Sequence, residues 1–332
     1  MRSIPWKQML LSVRVSAVIV WRVPFKGLQA TFHNLEMGSL VLALSCLLVL
    51  LVLRVYKWHC LLAAAGMGHL RQSLRSLFGG SALGLMTPGR LGELGRCVFV
   101  REEERAQVVL LTVFDRLLDF WALLAGMSAS LFLVASRPTA FFGLAVWIGL
   151  FPVVIGFPVW VSHVSKLVGQ SQHFIGRFMG AAAAGMPRIS TARFAVMALG
   201  TMWAELASFS FLLRAFCPTG FATAVATFPF IVLAGDLPLS FGGIGVREGA
   251  AALLLSPYAI PSGAAVDASL LWFVFAMLLP AAVGALWLVA ERVGPRVRRW
   301  NEVVPVVNPT LAPVTALPSP PPLEAEVAVP EV

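Results

Sequence analysis

Residues 77–93 read LFGGSALGLMTPGRLGE, and the course of the chain through them decides the fold. The apolar run 77–87 ends at Thr87-Pro88-Gly89-Arg90, and basic residues flank it on both sides. Each arm of the stretch reaches about 15–20 Å at about 1.5 Å per residue, against a hydrocarbon core of about 30 Å. Too short to cross, and bounded by the same charge at both ends, it must dip into a membrane and return. A second stretch, 222–256, breaks in the same way, at Asp236-Leu237-Pro238 and again at Gly242-Gly243. The breaks echo each other: Pro88-Gly89-Arg90-Leu91-Gly92-Glu93 beside Gly243-Ile244-Gly245-Val246-Arg247-Glu248. Both stretches read as re-entrant helical hairpins.

Around them lie five long apolar runs, near 38–56, 106–134, 139–162, 194–215 and 265–290. Each suits a transmembrane helix, which takes about 20 residues. Of the 332 residues, 58% are hydrophobic and 12% charged. Soluble domains hold about 45–50% and about 25%, so the composition excludes a disordered chain, a fibrous one and an ordinary soluble enzyme. It implies an all-α polytopic membrane protein. Residues 8–24 are fairly apolar but interrupted by Arg14 and Arg22, with no small-residue cleavage site after them. They read as a weak first span or an interfacial helix rather than a signal peptide, and the span reading makes about six spans. Residues 163–186 place Val164, Leu167, Phe174 and Phe178 at helical spacing, as in an interfacial helix on the cytoplasmic leaflet. Residues 1–300 form the membrane domain. The remainder, 301–332, is a Pro-rich tail with too little apolar surface for a core, and is expected to be disordered.

Basic residues gather in four clusters, at 54–76, 90–105, 163–193 and 291–300, four in each. The opposite loops hold only Arg137 and Arg214. The positive-inside rule therefore puts the four clusters and both termini in the cytoplasm, with the cell (inner) membrane as the location. The order span, hairpin, span then occurs twice, at about 38–134 and 194–290, and the linking span 139–162 inverts the second copy. Inverted repeats with Gly/Pro-broken half-helices near the midplane are the architecture of many secondary transporters. The plainer reading is that small residues such as Gly80/Gly84 and Gly245/Gly249 merely let helices pack closely. It suits one hairpin better than two opposed hairpins that each carry an arginine and a glutamate.

Backbone freed from helical pairing survives at membrane depth only against protein or water, so both breaks imply a polar cavity. At the second, Gly243 and Gly245 leave N–H groups at the start of a new half-helix, Arg247 adds a full positive charge, and Glu248 follows. A phosphate-like anion fits there. Arg90, with Glu93 as its neighbour, takes the matching place at the first break. Within 106–134, Asp115 and Asp119 share a helix face, and Arg116 reaches Asp119 at the three-residue spacing. These three lie near mid-membrane, where a buried charge costs at least about 2.5 kcal/mol and so faces a partner or water. Two readings stand: an ion-pair staple, or Arg116 joining Arg90 and Arg247 around an anionic headgroup. Glu205 and Asp236 have no basic neighbour in sequence, and each reads as a hydrogen-bonded structural carboxyl or as a proton carrier. The net charge of +9 follows from the loop clusters and carries no nucleic-acid signal. Four cysteines and five histidines, scattered without ligand spacing, point to no metal, cofactor or disulfide framework.

The runs Pro88-Gly89-Arg90-Leu91-Gly92-Glu93, Asp115-Arg116-Leu117-Leu118-Asp119 and Pro238-Leu239-Ser240-Phe241-Gly242-Gly243-Ile244-Gly245-Val246-Arg247-Glu248 together resemble a flippase-like family. That family is named for the transmembrane region of lysylphosphatidylglycerol synthase, and the resemblance covers about residues 38–290. It implies a membrane domain that moves lipids between leaflets, in the parent proteins an aminoacylated phosphatidylglycerol. The parent's soluble aminoacyl-transfer domain has no counterpart here, so synthesis of the lipid is not expected. The family more often has Glu-Arg at Asp115-Arg116, and Arg-Trp at Lys57-Trp58. The expected function is a translocase, not an enzyme, passing an anionic lipid or lipid-linked headgroup through a groove between the hairpins. Its partners are membrane lipids, with a second copy or an envelope-lipid enzyme as candidate protein partners. The alternatives are a non-catalytic subunit that scaffolds such an enzyme, and an integral-membrane transferase, for which no nucleophile and base converge.

Overall fold

Backbone in lipid has to satisfy its own N–H and C=O groups, so long apolar runs become helices before any packing is considered. The structure, a computed structural model, describes residues 35–168 and 190–290 apart from Pro88 and Phe241, together with Gly180 and Ala183. Its main elements are α1 (Met37–Ala64), α2 (Leu70–Leu85), a 3₁₀ arm (Leu91–Phe99), α3 (Arg105–Val134), α4 (Arg137–Val168) and α5 (Thr191–Phe216). They continue with α6 (Phe221–Asp236), α7 (Val246–Leu255), α8 (Ser262–Phe273) and α9 (Leu279–Ala290), the last two joined by a π turn, Val274–Leu278.

Helices α1, α3, α4, α5 and the continuous α8–α9 rod are long and apolar enough to cross a membrane. They are the five expected spans. The expected sixth, 8–24, lies outside the described residues, as do the tail 301–332 and most of 163–186. Helix α4 runs on to Val168, so residues 163–168 extend the linking span instead of opening a separate interfacial helix. No single helix of either hairpin is long enough to cross. The 16 residues of α6 and the 10 of α7 reach about 24 Å and about 15 Å.

The two copies match contact for contact. In the first, α1 packs on α2 and α3, α2 on the 3₁₀ arm, and that arm on α3. In the second, α5 packs on α6 and α8, α6 on α7, and α7 on α8. Between copies, α1 lies along α5, while α2 packs on α9 as α6 packs on α3. Glu36 at the start of α1 donates its N–H to Ala215 O at the end of α5, at 3.1 Å. Arg193 at the start of α5 donates to Tyr56 Oη near the end of α1, at 3.2 Å. The equivalent helices therefore run antiparallel, which is what an inverted repeat requires.

The second arm of the first hairpin departs from expectation, being 3₁₀ where an α-helical half was expected. Arg90 sits in the left-handed region at φ 57°, and Gly92 and Gly95 follow it, so the α-helix cannot restart cleanly. The arm lies close against α2, where a Cβ on Gly84 would stand 2.7 Å from Glu93 Cγ and one on Gly80 would overlap Arg96 Cγ. Those glycines are packing devices, as the plainer sequence reading held, and what they admit is charge. The outer faces are apolar: Val41, Leu48 and Val52 on α1, and Phe142, Ile148, Val153 and Trp160 on α4, are exposed as lipid-facing side chains are.

Candidate functional site

A 3₁₀ helix turns once in three residues, so side chains three apart stack in a row. On the first hairpin that row is Arg90, Glu93, Arg96, alternating in sign. Glu93 and Arg96 are 2% and 1% exposed, so their charges must be met by protein. Glu93 takes Arg90 at 2.5 Å, Arg96 at 3.0 Å and Arg116 at 3.3 Å. Asp115, equally buried, takes Lys57 at 2.8 Å, Arg96 at 2.9 Å and Arg116 at 3.4 Å. Asp119 closes the network by pairing with Lys57 and, at 3.0 Å, with Arg116. Trp58 lies beneath the Arg96 guanidinium, 4.4 Å from ring centroid to Cζ, and its Nε1 donates to Ser76 Oγ at 2.7 Å. This platform joins α1, the 3₁₀ arm and α3.

Beside it opens a cavity of about 440 Å³ walled by both copies. Arg54, Arg90, Glu93, Arg116 and Asp119 face it from the first copy, Glu205 and Asp236 from the second. Arg54 pairs with Glu205 at 2.5 Å, and Arg90 reaches Asp236 at 3.7 Å, so each pair crosses the repeat boundary. The place of Arg54 follows from a proline. Pro280 has no N–H for the carbonyl four residues before it, and that carbonyl, Ala276 O, accepts from Arg54 Nη1 at 2.8 Å. Leu91 and Phe120 also line the cavity and are exposed, so its charged wall ends in an apolar rim.

The structure thus brings together Arg90, Glu93, Arg116, Asp119, Glu205 and Asp236 on the cavity wall, with Asp115 just behind them. It does not bring Gly243, Gly245, Arg247 or Glu248 there. Arg247, expected to grip an anion, is 2% exposed. Its Nη2 donates to Gly242 O at 2.7 Å, and its guanidinium lies 4.8 Å from the Phe273 ring and 5.4 Å from that of Trp272. The N–H of Gly245, expected to face an anion, donates to Glu248 Oε2. At Gly243, φ 76°, a Cβ would collide with Gly235 O, so this glycine serves close packing of the second hairpin. The proton-carrier reading of Glu205 and Asp236 rested on the lack of a basic neighbour, and the fold supplies one to each.

Three members escaped the sequence reading: Arg54, Lys57 and Arg96. Arg96 carried a signal, the three-residue repeat Arg-x-x-Glu-x-x-Arg from 90 to 96, legible once a 3₁₀ arm is considered. Lys57 is marked in the sequence only as the neighbour of Trp58. Arg54 carried none, its carboxylate partner lying 151 residues away. Among the described residues no group of three His, Cys, Asp or Glu could hold a metal ion.

The family described as lysylphosphatidylglycerol synthase TM region matches residues 9–284, a span that holds both hairpins and the whole charged platform. No curated protein and no solved structure matches the chain.

Proposed function

The chain belongs to the family of the lysylphosphatidylglycerol synthase transmembrane region, and from that premise we propose that it is a lipid translocase of the cell membrane. Membership makes it a membrane protein related to lipid modification or transport; translocation is the finer step. The observation that carries it is the cavity between the copies, charged inside and apolar at its rim. A headgroup enters among Arg54, Arg90 and Arg116 while the acyl chains stay beside Leu91 and Phe120. Arginine grips phosphate with two parallel N–H donors, and each of these arginines exchanges its carboxylate for phosphate as the headgroup passes. Arg116, with 38% of its side chain exposed, is the most accessible of the three. The four displaced carboxylates, Glu93, Asp119, Glu205 and Asp236, suit an anionic headgroup that also brings an amine. With both termini cytoplasmic, the first hairpin enters from the cytoplasm and the second from outside, their tips meeting at the cavity.

The test uses the purified protein in vesicles holding headgroup-labelled phosphatidylglycerol. One lost charged hydrogen bond is worth about 1.5–3 kcal/mol, so Arg116→Gln should slow translocation about tenfold or more with normal insertion. Full activity of folded Arg116→Gln and Arg90→Gln would refute the reading and favour a scaffolding subunit, whose function needs a surface but not these charges.

A further inference from the structure

A second cavity, of about 640 Å³, opens where the arms of the first hairpin part, at the end away from its tip. Its walls are His69, Arg71 and Arg75 at the beginning of α2, and residues 98–101 at the end of the 3₁₀ arm. The volume lies within the usual range for ligand sites, about 300–1,000 Å³. The lining sets it apart from the first cavity. Among the described residues it is lined by three arginines, Arg71, Arg75 and Arg101, and by no carboxylate, whereas carboxylates share the wall of the first cavity with its arginines. Two nearby acids are engaged with other groups: Glu104 accepts at 2.8 Å from Nε2 of Gln72, which also lines the cavity, and Glu102 faces Arg105 at 3.5 Å. Among the described residues, Arg71 and Arg101 have no ion-pair partner, and both are exposed. Beside them Leu70 and Val98 expose apolar side chains, at 54% and 51%.

We infer that this cavity is a second, separate phosphate site, taking the headgroup of an anionic membrane lipid at the open end of the hairpin. The exposed guanidiniums of Arg71 and Arg101, without an ion-pair partner among the described residues, supply the attraction, and their forks supply the geometry. The apolar shoulder at Leu70 and Val98 gives an acyl chain a surface and so favours a lipid over free phosphate. The arginine clusters put the site at the cytoplasmic face, where anionic lipids and basic pockets meet. Because α2 and the 3₁₀ arm each supply a wall, an occupant ties together the arms that carry the buried Glu93–Arg96 row. The site stands whether or not the first cavity translocates lipid.

The experiment counts lipids retained on the full-length protein by native mass spectrometry, titrated with phosphatidylglycerol or phosphatidylcholine. It is run on the wild type and on Arg90→Gln/Arg116→Gln, which disables the first cavity. In both, phosphatidylglycerol should bind in preference to phosphatidylcholine. Adding Arg71→Gln/Arg101→Gln should weaken phosphatidylglycerol about 30-fold, equivalent to about 1 kcal/mol for each of two surface arginines. Arg71→Lys/Arg101→Lys should keep part of the affinity, having charge without the fork. Displacement of the lipid by inorganic phosphate would assign the phosphate group as sufficient ligand; retention would assign the whole lipid. Equal binding of the two lipids, or unaltered binding by folded Arg71→Gln/Arg101→Gln, would overturn the site.

Discussion

Replacing Arg96 by methionine keeps an unbranched stem and removes the guanidinium and its charge from the centre of the platform. Arg96 donates to Asp115 Oδ2 at 2.9 Å and to Glu93 Oε2 at 3.0 Å, and lies over Trp58 at 4.4 Å. Two charge-assisted hydrogen bonds at about 1.5–3 kcal/mol each and a desolvated cation–π contact of about 2 kcal/mol sum to about 5–8 kcal/mol. The platform absorbs part of that. Asp115 keeps Lys57 and Arg116, and Glu93 keeps Arg90 and Arg116. The expected loss is therefore about 3–5 kcal/mol, the range for removing one partner from a buried ion pair. Arg96→Met/Asp115→Asn removes one charge of each sign, leaves no carboxylate short of a cation, and should regain at least about half of the loss. Thermal unfolding of the protein in lipid nanodiscs, followed by tryptophan fluorescence, measures both. An Arg96→Met midpoint equal to wild type, or strictly additive losses in the double variant, would refute the platform.

Two further outcomes are expected. Arg247→Ala should lower stability by about 2–4 kcal/mol, the worth of a charged hydrogen bond and an aromatic contact. Headgroup affinity of its folded fraction should stay at the wild-type level; a headgroup defect without a stability loss would restore Arg247 to the site. On a background with the native cysteines replaced, a single cysteine at Ser165, near the end of α4, should label only from the cytoplasm, and one at Ser262, at the start of α8, only from outside. Labelling of both from one face would break the inverted repeat.

Hydropathy and helix breaking are properties of a short stretch of chain, so they can be read without knowing what packs against it. That is why the five spans, both hairpins and their twofold order were legible, each span announced by its own apolar run and each hairpin by proline and glycine. Local charge spacing was legible for the same reason: Arg90 with Glu93, and Arg116 with Asp119, meet at three residues apart as expected. The form of the arm after Arg90 was harder. Its 3₁₀ turn depends on how closely Gly80 and Gly84 let it approach α2, which no local rule contains.

Partner choice across the molecule is a property of two surfaces, and only packing assigns it. Arg54 finds Glu205 because α1 lies along α5, and finds Ala276 O because Pro280 left that carbonyl without a helical donor. Lys57 and Arg96 converge on Asp115 from two different elements. The glycine-rich second break shows the limit most clearly. In sequence Gly242-Gly243-Ile244-Gly245-Val246-Arg247 reads as an anion cradle, with free N–H groups and a cation to hand. In the fold, Glu248 takes the N–H of Gly245, and Arg247 turns back to Gly242 O between Trp272 and Phe273. Chain-local hydrophobicity decides which segments enter the membrane; desolvation, acting between segments, decides which of their charges stay free to meet a ligand.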